Sequence, residues 1–333
     1  MDKQQTSDAA VITRQGNPGS VHRLLAGTMV ATDIDASRDF YENFLGLECV
    51  RYAPDRLLVR DRYARQAMET GDDDFFVIDV QQVPEITHPQ RMLHHWGFDV
   101  ATHGDVDRIH AHAKERKAEL GLKMLGMITD LHESHSFFLA DRDSNWWEIE
   151  YRLDGMLNGD YFVRGDVAPD FHQDPVGPEQ HRSYVDPAVG GNDGAVLGNA
   201  RLTHGTMELT DRARTRRFLE EVANLRAVYH RHPATLIAGR GDFAVFALPP
   251  PKVKPQGEQN RWIISAEDAS GVAAVRDRAL AAQAEMAFLK VGELIEQDGA
   301  VSMTIQDADS NWWEFTSRSA DHYRAIFAAG DVV

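Results

Sequence analysis

A single cysteine, Cys49, in 333 residues excludes a disulfide within the chain and any cysteine-rich zinc site. Its simplest role is that of a small buried apolar side chain in a reducing compartment. Long apolar runs are also missing: no stretch approaches the ~18 residues that a membrane-spanning helix needs. The opening MDKQQTSDAAVITRQGNPGS has no apolar core of the kind a secretory signal carries. Positive charge is scarce, with 35 Lys and Arg against 52 Asp and Glu and a net charge of −17. That balance argues against a nucleic-acid backbone or an anionic membrane surface as partner. It says nothing against a small uncharged ligand. The expected location is cytoplasmic.

What the chain does have is repetition. DRDSNWWE at 141–148 returns as DADSNWWE at 307–314, and AGTMVATD at 26–33 returns as HGTMELTD at 204–211. Two matched pairs in the same order indicate an internal duplication. Each eight-residue string also ends in a carboxylate, Glu148 or Glu314, able to ligate a metal. The differences between copies are informative. Ala26 stands where the second half has His204, and His95 stands where the second half has Arg261.

Pattern divides the chain further. Residues 1–20 read as a mobile polar tail. From Leu24 a β-like segment leads into a helix with Phe40, Phe44 and Leu47 at helical spacing, ended by Gly46, and further β-like segments follow. HHWGFDV then restarts the pattern with a strand, a helix closed by Gly121 and more strands. The expectation is a first domain at 21–153, with modules 21–83 and 92–152, and a second at 200–320, with modules 200–250 and 260–317. Each module reads β-α-β-β-β. Residues 154–199, rich in Gly, Pro, Asp and Asn, read as a connector.

Four such modules, two of them with D-x-D-S-N before the last strand, resemble the vicinal oxygen chelate superfamily of glyoxalases, bleomycin-resistance proteins and ring-cleaving dioxygenases. The resemblance covers about 270 residues. One such turn alone is a weak signal, because Asp, Ser and Asn suit any tight hairpin; its recurrence before an alternating strand gives it weight. The fold implied is α+β: βαβββ modules in two tandem domains, paired into curved cup-like sheets with helices outside.

The resemblance also implies where a metal would sit, at the first and last strands of paired modules. Carried over, the first-strand positions are Ala26, His95, His204 and Arg261, and the last-strand carboxylates are Glu148 and Glu314. Pairing within each half leaves both cups incomplete. Pairing the second module with the third gathers His95, His204 and Glu148, and leaves Ala26, Arg261 and Glu314 in a vestigial cup. The crossed arrangement is therefore expected, within one chain or between two. Strand alternation agrees, since His95, Gly97 and Asp99 share one face, as do Trp146, Glu148 and Glu150. Glu314 beside Arg261 is expected to be an ion pair, and Trp146 and Trp312 to fill the core.

Two imidazoles and a carboxylate suit divalent iron, with Mn(II) the second choice, and leave positions open for a diol and dioxygen. The reading is an extradiol-type ring-cleaving dioxygenase for a catechol- or hydroquinone-like aromatic, acting as a homo-oligomer. A metal-dependent isomerase or lyase of glyoxalase type, and a non-catalytic aromatic-binding protein, are the competing readings. His135, with His132 behind it, is the candidate proton shuttle. Tyr161, His172, His181 and Tyr184 of the connector are candidates for a lid. His88, His94, His103, His110 and His112 are assigned no role.

Overall fold

The structure, a computed structural model, describes residues 22–131, 134–153, 155–167, 185–186, 189, 194–230, 236–240 and 243–332. The tail, most of the connector, His132, His172, His181 and Tyr184 lie outside the described residues. The first module runs β1 (Arg23–Ala31), α1 (Ile34–Asn43), β2 (Glu48–Ala53), β3 (Arg56–Arg60), α2 (Arg62–Thr70) and β4 (Val77–Gln82). The second runs β5 (Trp96–Asp99), α3 (His103–Glu115), β6 (Met124–Leu125), β7 (Thr129–Leu131), β8 (Ser134–Ala140) and β9 (Trp146–Arg152). A short helix, α4 (Asn158–Arg164), opens the connector. The third module has β10 (Arg201–Glu208), α5 (Arg212–Arg217), β11 (Arg226–Tyr229), β12 (Leu236–Arg240) and β13 (Phe243–Leu248). The fourth has β14 (Arg261–Ser265), α6 (Ala269–Met286), β15 (Lys290–Val291), β16 (Ile295–Gln297), β17 (Ala300–Gln306) and β18 (Trp312–Thr316), followed by α7 (Ala320–Ala329).

Each module's helix starts for the same reason. An aspartate or threonine just after the first strand turns its side chain onto free N–H groups of the first turn. Asp33 accepts from Ala36, Asp211 from Ala213 and Arg214, and Asp268 from Gly271. Thr102 does the same within a full capping box with Asp105. Three helices were not expected from the sequence, α2, α4 and α7. The first is inserted between β3 and β4. It takes up most of the difference between the two repeat offsets, 178 residues at the first matched pair and 166 at the second.

Two nine-stranded sheets result, and each draws on both halves of the chain. One has the order β15-β17-β18-β14-β1-β4-β3-β2, so the fourth module joins the first. The other has the order β11-β12-β13-β10-β5-β9-β8-β6, so the third joins the second. The seams are antiparallel, β1 with β14 and β5 with β10. Both carry a register shift on the same side, between Leu24 and Ala26 in one and between Leu202 and His204 in the other. A bulge there re-aims the next side chain. In the first seam Leu25 and Ala26 consequently share one apolar cluster while Leu24 faces another.

Aromatic rings fill the space between the sheets. Phe76 stacks on Phe243 with centroids 3.6 Å apart, and Trp96 meets Trp262 edge to face at 5.0 Å. A Cβ at Gly27 would lie 2.3 Å from the Trp96 ring, and one at Gly205 would lie 2.4 Å from that of Trp262. These glycines are needed for close approach.

The repeated D-x-D-S-N-W-W string is a clamp between sheets. Asp141 accepts from the backbone N–H of Asp143 and Asn145 and from the Trp147 indole, with Ser144 at φ 66° completing the turn. Asn145 Nδ2 then donates to Val30 O of the opposite sheet at 3.0 Å. In the second copy Asp307 plays the same part and Asn311 Nδ2 donates to Glu208 O at 2.9 Å. Asn311 Oδ1 also faces His94 Nε2 at 3.3 Å, while Gln256 lies on that imidazole's other nitrogen. Burial pulls the pKa of His94 down to about 3, so the ring is neutral. Replacing either asparagine by alanine leaves a buried carbonyl unpaired, and a loss of about 2–3 kcal/mol is expected in urea unfolding. Asn311→Ala should cost more than Asn145→Ala, because His94 loses its partner too.

Candidate metal centre

Three adjacent strands set the site. Across β10, β5 and β9, His204 pairs with Gly97 and Gly97 pairs with Glu148. The middle position has no side chain, so the His204 ring lies over it. A Cβ on Gly97 would sit 1.9 Å from His204 Cε1 and 2.2 Å from Nε2. His95 enters from just before β5, two residues along on the same face. Its Nε2 lies 3.0 Å from Glu148 Oε2, and that of His204 lies 3.4 Å from the same oxygen. All three side chains are buried, and their ligand atoms fall within 4.8 Å of one another.

The outer nitrogens fix the tautomers. His95 Nδ1 is 2.5 Å from Met92 O, which can only accept, so Nδ1 carries the proton. His204 Nδ1 faces Glu150 Oε1 at 3.4 Å and Thr203 Oγ1 at 3.2 Å. Both Nε2 atoms then point lone pairs at a carboxylate. His95 Nε2 is buried without a hydrogen-bond partner, although Glu148 Oε2 lies 3.0 Å away. Three ligand atoms converging in this way fit a cation.

Behind His204 lies a buried polar group. Arg152 Nε is 3.0 Å from Glu150 Oε1 and 3.3 Å from Asp99 Oδ2, and Thr203 Oγ1 donates to Asp99. Burial pushes the Asp99 carboxyl up, and the neighbouring Glu150 adds to the rise. Arg152 also donates to Asn158 of α4, whose Nδ2 donates to Thr203 O. Glu150 thus orients the His204 ring. Glu150→Gln is expected to weaken metal retention by roughly 10- to 100-fold, measured by competition with a chelator.

The fourth last-strand position in this cup is Phe246. Thr206, two residues past His204 as Gly97 is past His95, pairs with it across β10 and β13. The Phe246 ring meets His204 edge-on at 5.3 Å, and Phe138 meets His95 at 5.0 Å. Tyr161 of α4 packs on Phe246, with centroids 5.8 Å apart.

The other cup is filled. Ala26 pairs with Ile263, and Ile263 with Glu314, so an isoleucine occupies the place of Gly97. Arg261 Nε lies 3.1 Å from Glu314 Oε2, the guanidinium standing where His95 stands in the first cup. Tyr323 and Ala320 of α7 close it over with Leu25, Met68 and Phe75. Its fourth position is Asp79, hydrogen-bonded by Tyr52 and Arg56. The alternation in FFVIDVQQV points this aspartate inward, although it was not among the expected last-strand carboxylates.

His135 lies elsewhere. On β8 it pairs with Tyr151 and alternates with Ser136 and Phe138, so it faces α3 rather than the cup. Its ring nitrogens meet Asp130 and Asp107, and the ring stacks on His103. The hairpin register, invisible in the sequence, decides this. His132 lies outside the described residues.

Residues 22–149 match the family model of the Glyoxalase/Bleomycin resistance protein/Dioxygenase superfamily, and this stretch is a domain of that superfamily. Most of the chain shares a fold with solved structures. Glyoxalase I from Zea mays is 13% identical, with 93% of this chain covering 95% of that one at a TM-score of 0.57. A point mutant of that maize enzyme is likewise 13% identical, with the same coverage of both chains and a TM-score of 0.55. A putative dioxygenase from Bacillus subtilis subsp. subtilis str. 168 is 13% identical, with 90% of this chain covering 87% of that one at a TM-score of 0.48. Among curated proteins none matches the sequence. Among the described residues no helix is long and apolar enough to cross a membrane.

Proposed function

We propose that the chain is a metal-dependent, extradiol-type ring-cleaving dioxygenase acting on a catechol- or hydroquinone-like aromatic. His95, His204 and Glu148 would hold Fe(II), with Mn(II) as the alternative ion. The observation that carries this reading is the donor set itself, two imidazoles and one carboxylate converging from three adjacent strands. The aromatic Phe246 at the fourth ligand position supports it. A fourth protein donor would leave less room for a two-oxygen substrate and dioxygen together. Bound there, divalent iron would supply the Lewis acidity and the electrons that couple a diol to dioxygen with ring opening.

The protein's own part is orientation and exclusion of water. Met92 O and Glu150 aim the two imidazoles, and Phe138 and Phe246 stand beside them as apolar walls suited to a flat ring. Tyr161 packs on Phe246 at the rim. His135 is too far round the sheet to serve as the proton shuttle. A homo-oligomer in the cytoplasm, with no nucleic acid or membrane as partner, completes the proposal.

Oxygen uptake by anaerobically prepared Fe(II) protein, given a panel of catechols and hydroquinones, tests it. Consumption of one dioxygen per diol with a ring-opened product is expected. Failure with every diol, alongside isomerase turnover of a hemithioacetal, would instead identify a glyoxalase-type enzyme. Phe246→Glu adds a fourth donor. It should bind the ion more tightly and lower oxygen uptake by about tenfold or more, each tenfold being about 1.4 kcal/mol of barrier.

A further inference from the structure

On the other face of the same sheet, α3 and the β7–β8 hairpin bring a second donor set together. The geometry points to a second divalent-metal site, distinct from the cup, formed by His103, Asp130 and His135 with Asp107 beside them, and suited to Zn(II). Its parts are two local pairs. His103 and Asp107 stand four residues apart on one face of α3, with His103 Nδ1 3.8 Å from Asp107 Oδ2. Asp130 and His135 are direct cross-strand partners in the hairpin and are hydrogen-bonded through His135 Nδ1. The pairs meet where His135 Nε2 comes 3.3 Å from Asp107 Oδ1 and the two imidazoles stack, with centroids 3.4 Å apart and 17° between planes.

Ligand atoms of His103, Asp130 and His135 all lie within 4.8 Å of one another. His135 is buried while the other three reach solvent, so an ion could enter without unfolding anything. Both ring nitrogens of His135 face carboxylates, and the exposed His103 offers a further nitrogen beside them. Two nitrogens and one carboxylate oxygen, with the fourth place open to water, are a common zinc donor set. The ion would staple α3 to the hairpin, two elements joined otherwise through the packing of α3 on β8. Nothing in this inference depends on the cup holding a metal.

Chelator-stripped protein is dialysed against micromolar Zn(II) alone, with the double variant His103→Ala/Asp107→Asn in parallel. Both changed side chains are half-exposed or more on a helix, so the variant should fold. The result expected is one fewer equivalent of zinc in the variant, together with loss of the zinc-induced rise in Tm. The difference between the two proteins is the test, so it stands whether or not the cup also takes zinc. Asp130→Asn, which leaves the helix pair intact, should lower the affinity of the same equivalent by tenfold or more. Equal zinc content in wild-type protein and double variant overturns the proposal, as does a bound equivalent indifferent to both variants.

Discussion

Gly97→Ala is expected to abolish metal binding in a protein that still folds. The added methyl would fall 1.9 Å from His204 Cε1, inside the imidazole ring, so the ring must leave its place between Gly97 and Glu148. Neither neighbouring strand can retreat, because β5 is hydrogen-bonded to β10 on one side and β9 on the other. Overpacking of this kind costs about 1–3 kcal/mol, which an intact pair of sheets can absorb. The loss of metal affinity should reach about 100-fold or more, since displacing a ligand is no milder than losing the group that orients it. Metal content by elemental analysis, beside a urea unfolding curve, measures both. Retained metal in Gly97→Ala would mean that His204 is not a ligand.

The second large effect is a contrast between the cups. His204→Ala removes a donor from the first and should leave about a thousandth of the diol-dependent oxygen uptake or less, the loss of several kcal/mol of metal-derived stabilisation. Glu314→Gln alters the equivalent carboxylate of the second and should leave uptake within about twofold. Its effect would be on stability, because Arg261 and Arg318 lose their charged partner. Arg261 is partly exposed, so about 1–2 kcal/mol is expected rather than the larger cost of a fully buried pair. Comparable loss of uptake in both variants would refute a division into a working cup and a filled one.

Much of this arrangement was legible in the sequence, and the reason is the duplication. Repeated strings at 141–148 and 307–314 put the fourth module in register with the second. Differences at Ala26, His95, His204 and Arg261 then made crossed pairing the arrangement that completes one site, and the sheets pair the modules that way within one chain. Alternation put Trp146, Glu148 and Glu150 on one face; Trp147 and Ile149 between them lie in the core, whereas Trp146, expected there, is half-buried. What escaped depends on relations between strands. The bulge at Thr203 and the row His204–Gly97–Glu148 are set by pairing, which no single strand encodes. His135 faces α3 because of the hairpin register. The D-x-D-S-N strings looked like a marker preceding a ligand, whereas their own side chains bind one sheet to the other through Val30 O and Glu208 O. Asp79 was missed because its cup had been written off.

Anomalous diffraction from Fe(II)- or Mn(II)-loaded crystals tests the central claim most directly. The account predicts a peak bonded to His95 Nε2, His204 Nε2 and Glu148 Oε2 of one chain, and none beside Glu314. Loaded protein with no peak at Glu148, or with its ion between Arg261 and Glu314, would contradict it.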